Sequence, residues 1–123
     1  MECMPHKILV IDDKPDLSMV VRMLLERAGH EVVTAENGRR GLRTFYETRP
    51  DLVVLDVRMP ELDGWETLER LRDLSGVPVL MFSGTKPDPE QLERLRPGRD
   101  AFRPKPFFGN ELVGVVDELL HAA

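Results

Sequence analysis

Five short apolar runs, each halted by a polar residue, alternate along the chain with stretches in which apolar residues recur every three or four positions. The first run, Lys7-Ile8-Leu9-Val10-Ile11, is continuously apolar after its lysine and reads as a strand buried on both faces, as in parallel sheets. From Leu17 onward Val20, Val21, Leu24, Leu25 and Ala28 form a helical stripe that ends at Gly29. Glu31-Val32-Val33-Thr34 predicts a second strand, and the segment carrying Leu42, Phe45 and Tyr46 predicts a helix that ends before Pro50. Asp51-Leu52-Val53-Val54-Leu55 is the third strand. After a turn at Met59-Pro60 and Asp63-Gly64, the spacing of Trp65, Leu68, Leu71 and Leu74 predicts a helix, and residues 77–82 a fourth strand. Asp88-Pro89-Glu90-Gln91 combines an N-cap residue, Pro at the first helical position and Gln where a capping box needs it, so a short helix starts there and Pro97-Gly98 ends it. Ala101-Phe102-Arg103 is a weaker fifth strand. Leu112, Val115, Val116, Leu119 and Leu120 mark a last helix running nearly to Ala123.

Strict alternation of strand and helix implies right-handed crossovers and an open parallel sheet covered on both faces. The expected architecture is an α/β, doubly wound, flavodoxin-like sheet of order 2-1-3-4-5, one domain over residues 1–123 with its core at about 7–120. No linker, repeat or low-complexity segment interrupts it.

Composition narrows the function classes. A formal net charge of −5 without a Lys/Arg cluster argues against direct nucleic-acid binding, which runs on clustered cations. Cys3 has no partner for an internal disulfide, and no apolar run approaches the roughly 18 residues of a membrane span. The opening Met1-Glu2-Cys3-Met4-Pro5-His6 lacks the basic and apolar regions of a signal peptide, so a cytoplasmic protein is expected.

In sheets of this kind ligands bind beyond the carboxyl ends of the strands, where strand order reverses, here between strands 1 and 3. The residues waiting there are Asp12 and Asp13 after strand 1, Asp56 after strand 3, Ser83 after strand 4 and Lys105 after strand 5. Taken singly each has a plain explanation: the Asp pair as helix cap, Asp56 and Ser83 as turn residues. Together they are a different matter, because two unit charges about 4 Å apart repel by roughly 4 kcal/mol at an effective dielectric of about 20, so a cation is expected. Carboxylate oxygens select a hard cation such as Mg²⁺, which also accepts a phosphate oxygen. A carboxylate can also be the nucleophile that takes a phosphoryl group, a reaction that depends on positioning and charge neutralisation.

With these residues in place the chain resembles the receiver domains of two-component response regulators, from Lys7 to about Leu120. The matching segments are Ile8-Leu9-Val10-Ile11-Asp12-Asp13, Leu55-Asp56-Val57-Arg58-Met59-Pro60 with Leu62-Asp63-Gly64, the strand ending in Ser83, and Lys105-Pro106-Phe107. The resemblance implies a phosphorylation-dependent switch, not an enzyme in the usual sense, that takes a phosphoryl group on Asp56 from a sensor histidine kinase or phosphotransfer protein and catalyses only its own phosphorylation and dephosphorylation. Mg²⁺ would be held by Asp13, Asp56 and the backbone carbonyl of Arg58, with Asp12 acting through water. Lys105 and Ser83 would contact phosphoryl oxygens, aided by the backbone of Val57 and Gly84. Phe102 occupies the position of the aromatic switch, with output through the face of helix 4, strand 5 and helix 5. The resemblance also implies a cis Lys105-Pro106 bond. Arg99 in place of a small residue, and Pro87, Pro89 and Pro104 around the switch, depart from the family pattern and predict a damped output movement.

Other residues have duller readings: Trp65 as core, Met59 and Met81 as packing, and His6, His30 and His121 scattered at element ends without metal-site spacing. Three competing functions fit these residues less well. A haloacid-dehalogenase-type phosphatase needs a second acid two residues after the first, where Lys14 stands. Flavodoxin needs a Ser/Thr/Gly-rich phosphate loop, and Asp12-Asp13-Lys14-Pro15 would repel the flavin phosphate. A receiver-like interaction module that works without phosphorylation would be marked by loss of an acid or the lysine, and the full set is present.

Overall fold

The computed structural model of the chain describes residues 6–105 and 109–121. In chain order the elements are β1 (Lys7–Ile11), α1 (Pro15–Arg27), β2 (Glu31–Ala35), α2 (Gly38–Thr48), β3 (Leu52–Asp56), α3 (Gly64–Leu74), β4 (Val79–Ser83), α4 (Pro89–Glu93), β5 (Ala101–Pro104) and α5 (Asn110–Leu120). The strands form one parallel sheet of order β2-β1-β3-β4-β5, as the alternation predicts.

Because successive side chains of a strand point to opposite faces, each apolar run feeds two cores. Ile8, Val10, Leu52, Val54, Leu80 and Phe82 pack with Val21 and Leu25 of α1 and Leu112, Val116 and Leu119 of α5. Leu9, Ile11, Val53, Leu55, Val79 and Met81 pack on the other face with Phe45 of α2 and Trp65, Leu68 and Leu71 of α3. Each fully buried Leu or Ile contributes about 1.5–3 kcal/mol relative to exposure. β1, β3 and β4, central in the sheet, are buried almost throughout, whereas β5, at one edge, is half-exposed.

The boundaries move for identifiable reasons. Helix α1 begins at Pro15, two residues before the first apolar position, since Pro suits the first turn. β4 begins at Val79, two residues late, because Pro78 has no N–H and the Val77 N–H is given to Ser75 Oγ at 3.1 Å. Helix α4 has the expected capping box of Asp88 and Gln91 but stops at Glu93 rather than near Pro97. None of its residues is buried, and the chain beyond continues in tighter turns, with Arg94 N–H donating to Gln91 O and Leu95 N–H to Leu92 O, both at 3.1 Å. Helix α5 ends at Leu120. The expected cis bond at Lys105-Pro106, together with Phe107 and Cys3, lies outside the described residues.

Candidate functional site

The sheet delivers the acids to one place. Asp56 is the last residue of β3, fully buried, and pairs in register with Phe82, so it stops level with the end of β4. Asp12 follows β1 and is also buried, while Asp13 beside it is half-exposed. One carboxylate oxygen from each of the three lies within 4.8 Å of the others, and no other such group of metal-ligating side chains occurs among the described residues. Asp12 Oδ2, Asp13 Oδ1 and Asp56 Oδ2 are buried and accept no hydrogen bond. Polar atoms are rarely left this way without a missing partner. A hard cation with an appetite for oxygen supplies one, so the donor set fits Mg²⁺.

Two ammonium groups bracket Asp56. Lys105 reaches it because the Lys105 N–H donates to Ser83 O at 2.9 Å, extending the β4–β5 ladder and leaving Lys105 Nζ 3.2 Å from Asp56 Oδ1. The same Nζ sits 4.9 Å from the centre of the Phe82 ring. On the other side Lys14 Nζ lies 3.5 Å from Asp13 Oδ1 and 3.9 Å from Asp56 Oδ2. Lys14 is the N-cap position of α1, where no side chain caps the helix; its own N–H donates to Asp12 Oδ1 at 2.9 Å. Helix capping therefore accounts for neither acid: one oxygen of Asp12 closes a turn onto the Lys14 N–H, and Asp13 caps nothing. Burial, reinforced by the Asp56 charge, raises the Asp12 carboxyl from its ordinary 3.8 to about 6, against the lowering effect of the Lys14 N–H and Lys105.

The loop after Asp56 is folded back on it. The Gly64 N–H donates to Val57 O at 2.8 Å, and a Cβ on Gly64 would fall 2.6 Å from Val57 Cα and against the Asp56 carbonyl, so only glycine fits. An Asp63–Glu66 capping box secures α3 just beyond; the sequence pattern carried that signal but the segment reads first as a turn. The Arg58 N–H makes a long 3.4 Å contact to Asp56 Oδ1.

Ser83, 1% exposed, is beside this pocket, but its Oγ accepts from the Thr85 N–H at 3.0 Å and bonds to neither Lys105 nor an acid among the described residues. Phe102 is half-buried and lines a cavity of about 200 Å³ with Val57, Arg58, Trp65, Thr85 and Pro87. Of the two backbone groups expected at the phosphoryl position, Val57 N–H donates to Phe82 O at 3.1 Å, whereas the Gly84 N–H has no partner among the described residues.

Two constellations escape sequence reading. The three histidines, far apart in sequence, meet at the opposite end of β1, His6 lying 5.9 Å from His30 and 6.0 Å from His121 between ring centroids. Asp100, buried, accepts from the Val79 N–H at 3.0 Å, the Arg96 N–H at 2.9 Å and Arg96 Nε at 3.0 Å, and pairs with Arg72. Its neighbours hold its carboxyl below the usual range despite burial. Arg99, which departs from the family pattern, donates to Gly76 O at 3.2 Å and so joins the same corner.

Residues 8–117 match the family model described as the response regulator receiver domain. The chain belongs to that family. It is therefore a receiver domain of two-component signalling, a signalling module and not an enzyme of the ordinary kind. This receiver domain is 37% identical over its whole length to the probable transcriptional regulator ycf27 of Pyropia yezoensis, and 40% identical over 114 residues to the CpxR homolog, a transcriptional regulatory protein of Haemophilus influenzae. It covers 51% and 50% of those two proteins, and so spans about half the length of the curated relatives it matches. Among solved structures it is similar to the chemotaxis protein CheY4 of Vibrio cholerae, with a TM-score of 0.84 at 28% identity, covering 94% of this chain and 99% of that one. No helix among the described residues is long and apolar enough to cross a membrane.

Proposed function

We propose that this receiver domain takes a phosphoryl group on Asp56 from the phosphohistidine of a sensor histidine kinase or phosphotransfer protein, in the cytoplasm and with Mg²⁺ bound. The observation that carries this reading is the convergence of one oxygen each from Asp12, Asp13 and the buried Asp56, none of them accepting a hydrogen bond, with Lys105 on the other oxygen of Asp56. Asp13 and Asp56, with the Arg58 carbonyl, would hold the ion directly and Asp12 through water. Bound there, Mg²⁺ neutralises charge shared between the acids and the phosphoryl oxygens.

The residues of the chain do the rest. An Asp56 carboxylate oxygen attacks phosphorus as the phosphorus–nitrogen bond of the phosphohistidine breaks, and the departing imidazole keeps the electron pair and takes a proton. The Lys105 ammonium moves its contact from Asp56 Oδ1 to a phosphoryl oxygen. Ser83 exchanges the Thr85 N–H for another phosphoryl oxygen, and the unpaired Gly84 N–H suits a third contact. Val57 could join only by giving up its bond to Phe82 O. Water later attacks the phosphorus of the aspartyl phosphate, and as the oxygen–phosphorus bond breaks inorganic phosphate leaves and the Asp56 carboxylate is restored. Movement of Ser83 makes room for Phe102 to turn inward and changes the face built by α4, β5 and α5, which a downstream protein would read.

Intact mass spectrometry after incubation with a small phosphodonor such as acetyl phosphate tests the assignment. Wild type should gain one phosphoryl group only with Mg²⁺, and Asp56→Asn none. Unchanged labelling in Asp56→Asn would refute the acceptor.

A further inference from the structure

Asp56 Oδ1 is engaged by Lys105, while Asp56 Oδ2 and Asp13 Oδ1 face Lys14. These last two atoms belong to the set that accepts no hydrogen bond, which is the set a metal would use. Lys14 is held at this spot by its backbone, since the N–H bond to Asp12 Oδ1 pins the residue at the pocket mouth where α1 begins. Its side chain is 56% exposed and so has room to swing away, in contrast to Lys105 at 21%.

Resting on the Mg²⁺-dependent acceptor reading above, we propose that Lys14 is a tethered counter-ion of the pocket: its ammonium stands in for the metal in the metal-free protein, competes with it for Asp13 and Asp56, and so raises the Mg²⁺ concentration at which Asp56 becomes competent. Three carboxylates then face two ammonium groups rather than one before the metal arrives. The pocket is quieter without metal and less attractive to it. An ordinary surface lysine would alter neither property.

The test compares wild type, Lys14→Gln and Lys14→Arg in the full chain at low ionic strength. Mg²⁺ is titrated by calorimetry or amide chemical shifts, and melting is followed separately in chelator. Lys14→Gln should bind Mg²⁺ about tenfold more tightly, an effect that salt weakens because the lysine is partly exposed. The same variant should melt at lower temperature without metal, and Lys14→Arg should stay near wild type in both. Equal Mg²⁺ affinity in wild type and Lys14→Gln overturns the counter-ion role and leaves the acceptor reading intact. Weaker affinity in Lys14→Gln also overturns it, since Lys14 would then be helping to build the site. Absence of Mg²⁺ binding in wild type sinks both.

Discussion

At the scale of single residues, the acid pocket is a place where the fold stores unfavourable charge. Asp12 shows it most plainly, because its carboxyl rises to about 6, mainly through burial. A carboxyl raised in the folded state binds its proton more tightly there than in the unfolded chain. Its contribution therefore favours the fold at low pH and is lost as pH climbs from 3.8 to about 6. In chelator, Asp12→Asn should flatten the stability–pH profile in that window and stabilise the neutral-pH protein by up to about 3 kcal/mol, at 1.36 kcal/mol per pKa unit. Denaturant melts of both proteins at several pH values check this, and parallel profiles would contradict it. The difference between variants matters here because His30, lowered by burial and by His6, pulls the other way over nearby pH. The three acids and Lys105 were legible in the sequence because the ends of strands are legible. Lys14 was visible too, but only as a residue that another chemistry could not use; its reach into the pocket depends on a backbone bond that no spacing rule reports.

Among elements, the parallel strands could be read from their continuous apolar runs, and their order followed from the alternation. What the pattern overran was the end of α4: its capping box marks the start where it is found, but the helix stops at Glu93, short of Pro97-Gly98, and buries nothing, Leu92 being 44% exposed. A cap starts a helix, but a helix is prolonged only where there is something to pack against. Nor could the pattern show how the β3–α3 loop returns to Asp56, since that depends on an approach too close for any side chain at residue 64. Gly64→Ala should destabilise the domain by about 1–3 kcal/mol, the usual cost of overpacking. Because the obstruction is the Asp56 carbonyl and Val57 Cα, it should also slow phosphoryl uptake beyond what the lost stability explains. Melting and acetyl-phosphate labelling well below the melting temperature separate the two effects. Unaltered labelling would mean the loop relaxes elsewhere.

For the molecule as a whole, rigidity is unevenly distributed. Three central strands are almost wholly buried, while α4 is held by its caps and β5 lies half-exposed at the edge. The prolines around Asp88 predict damping; Pro87 is buried and lines the cavity beside Phe102. A phosphoryl group can shift such an equilibrium only by its differential interaction with the two states, so a partial shift is expected. With beryllofluoride as phosphoryl mimic, amide shifts should extend from Ser83 through β5 to the start of α5. Changes confined to Asp12, Asp13 and Asp56 would argue that output leaves by another face.

The Asp100 cluster would give the proposed movement a fulcrum. It clamps the chain just before β5 to Val79 at the start of β4 and to Arg72 near the end of α3, whereas the far end of β5 runs into Lys105 beside Asp56. On the proposed mechanism the strand, laddered to β4 throughout, is anchored further at its Asp100 end and would be driven from its Lys105 end. Displacement should grow along it, least at Ala101 and greatest at Pro104, so Phe102 and Arg103 experience a tilt rather than a slide.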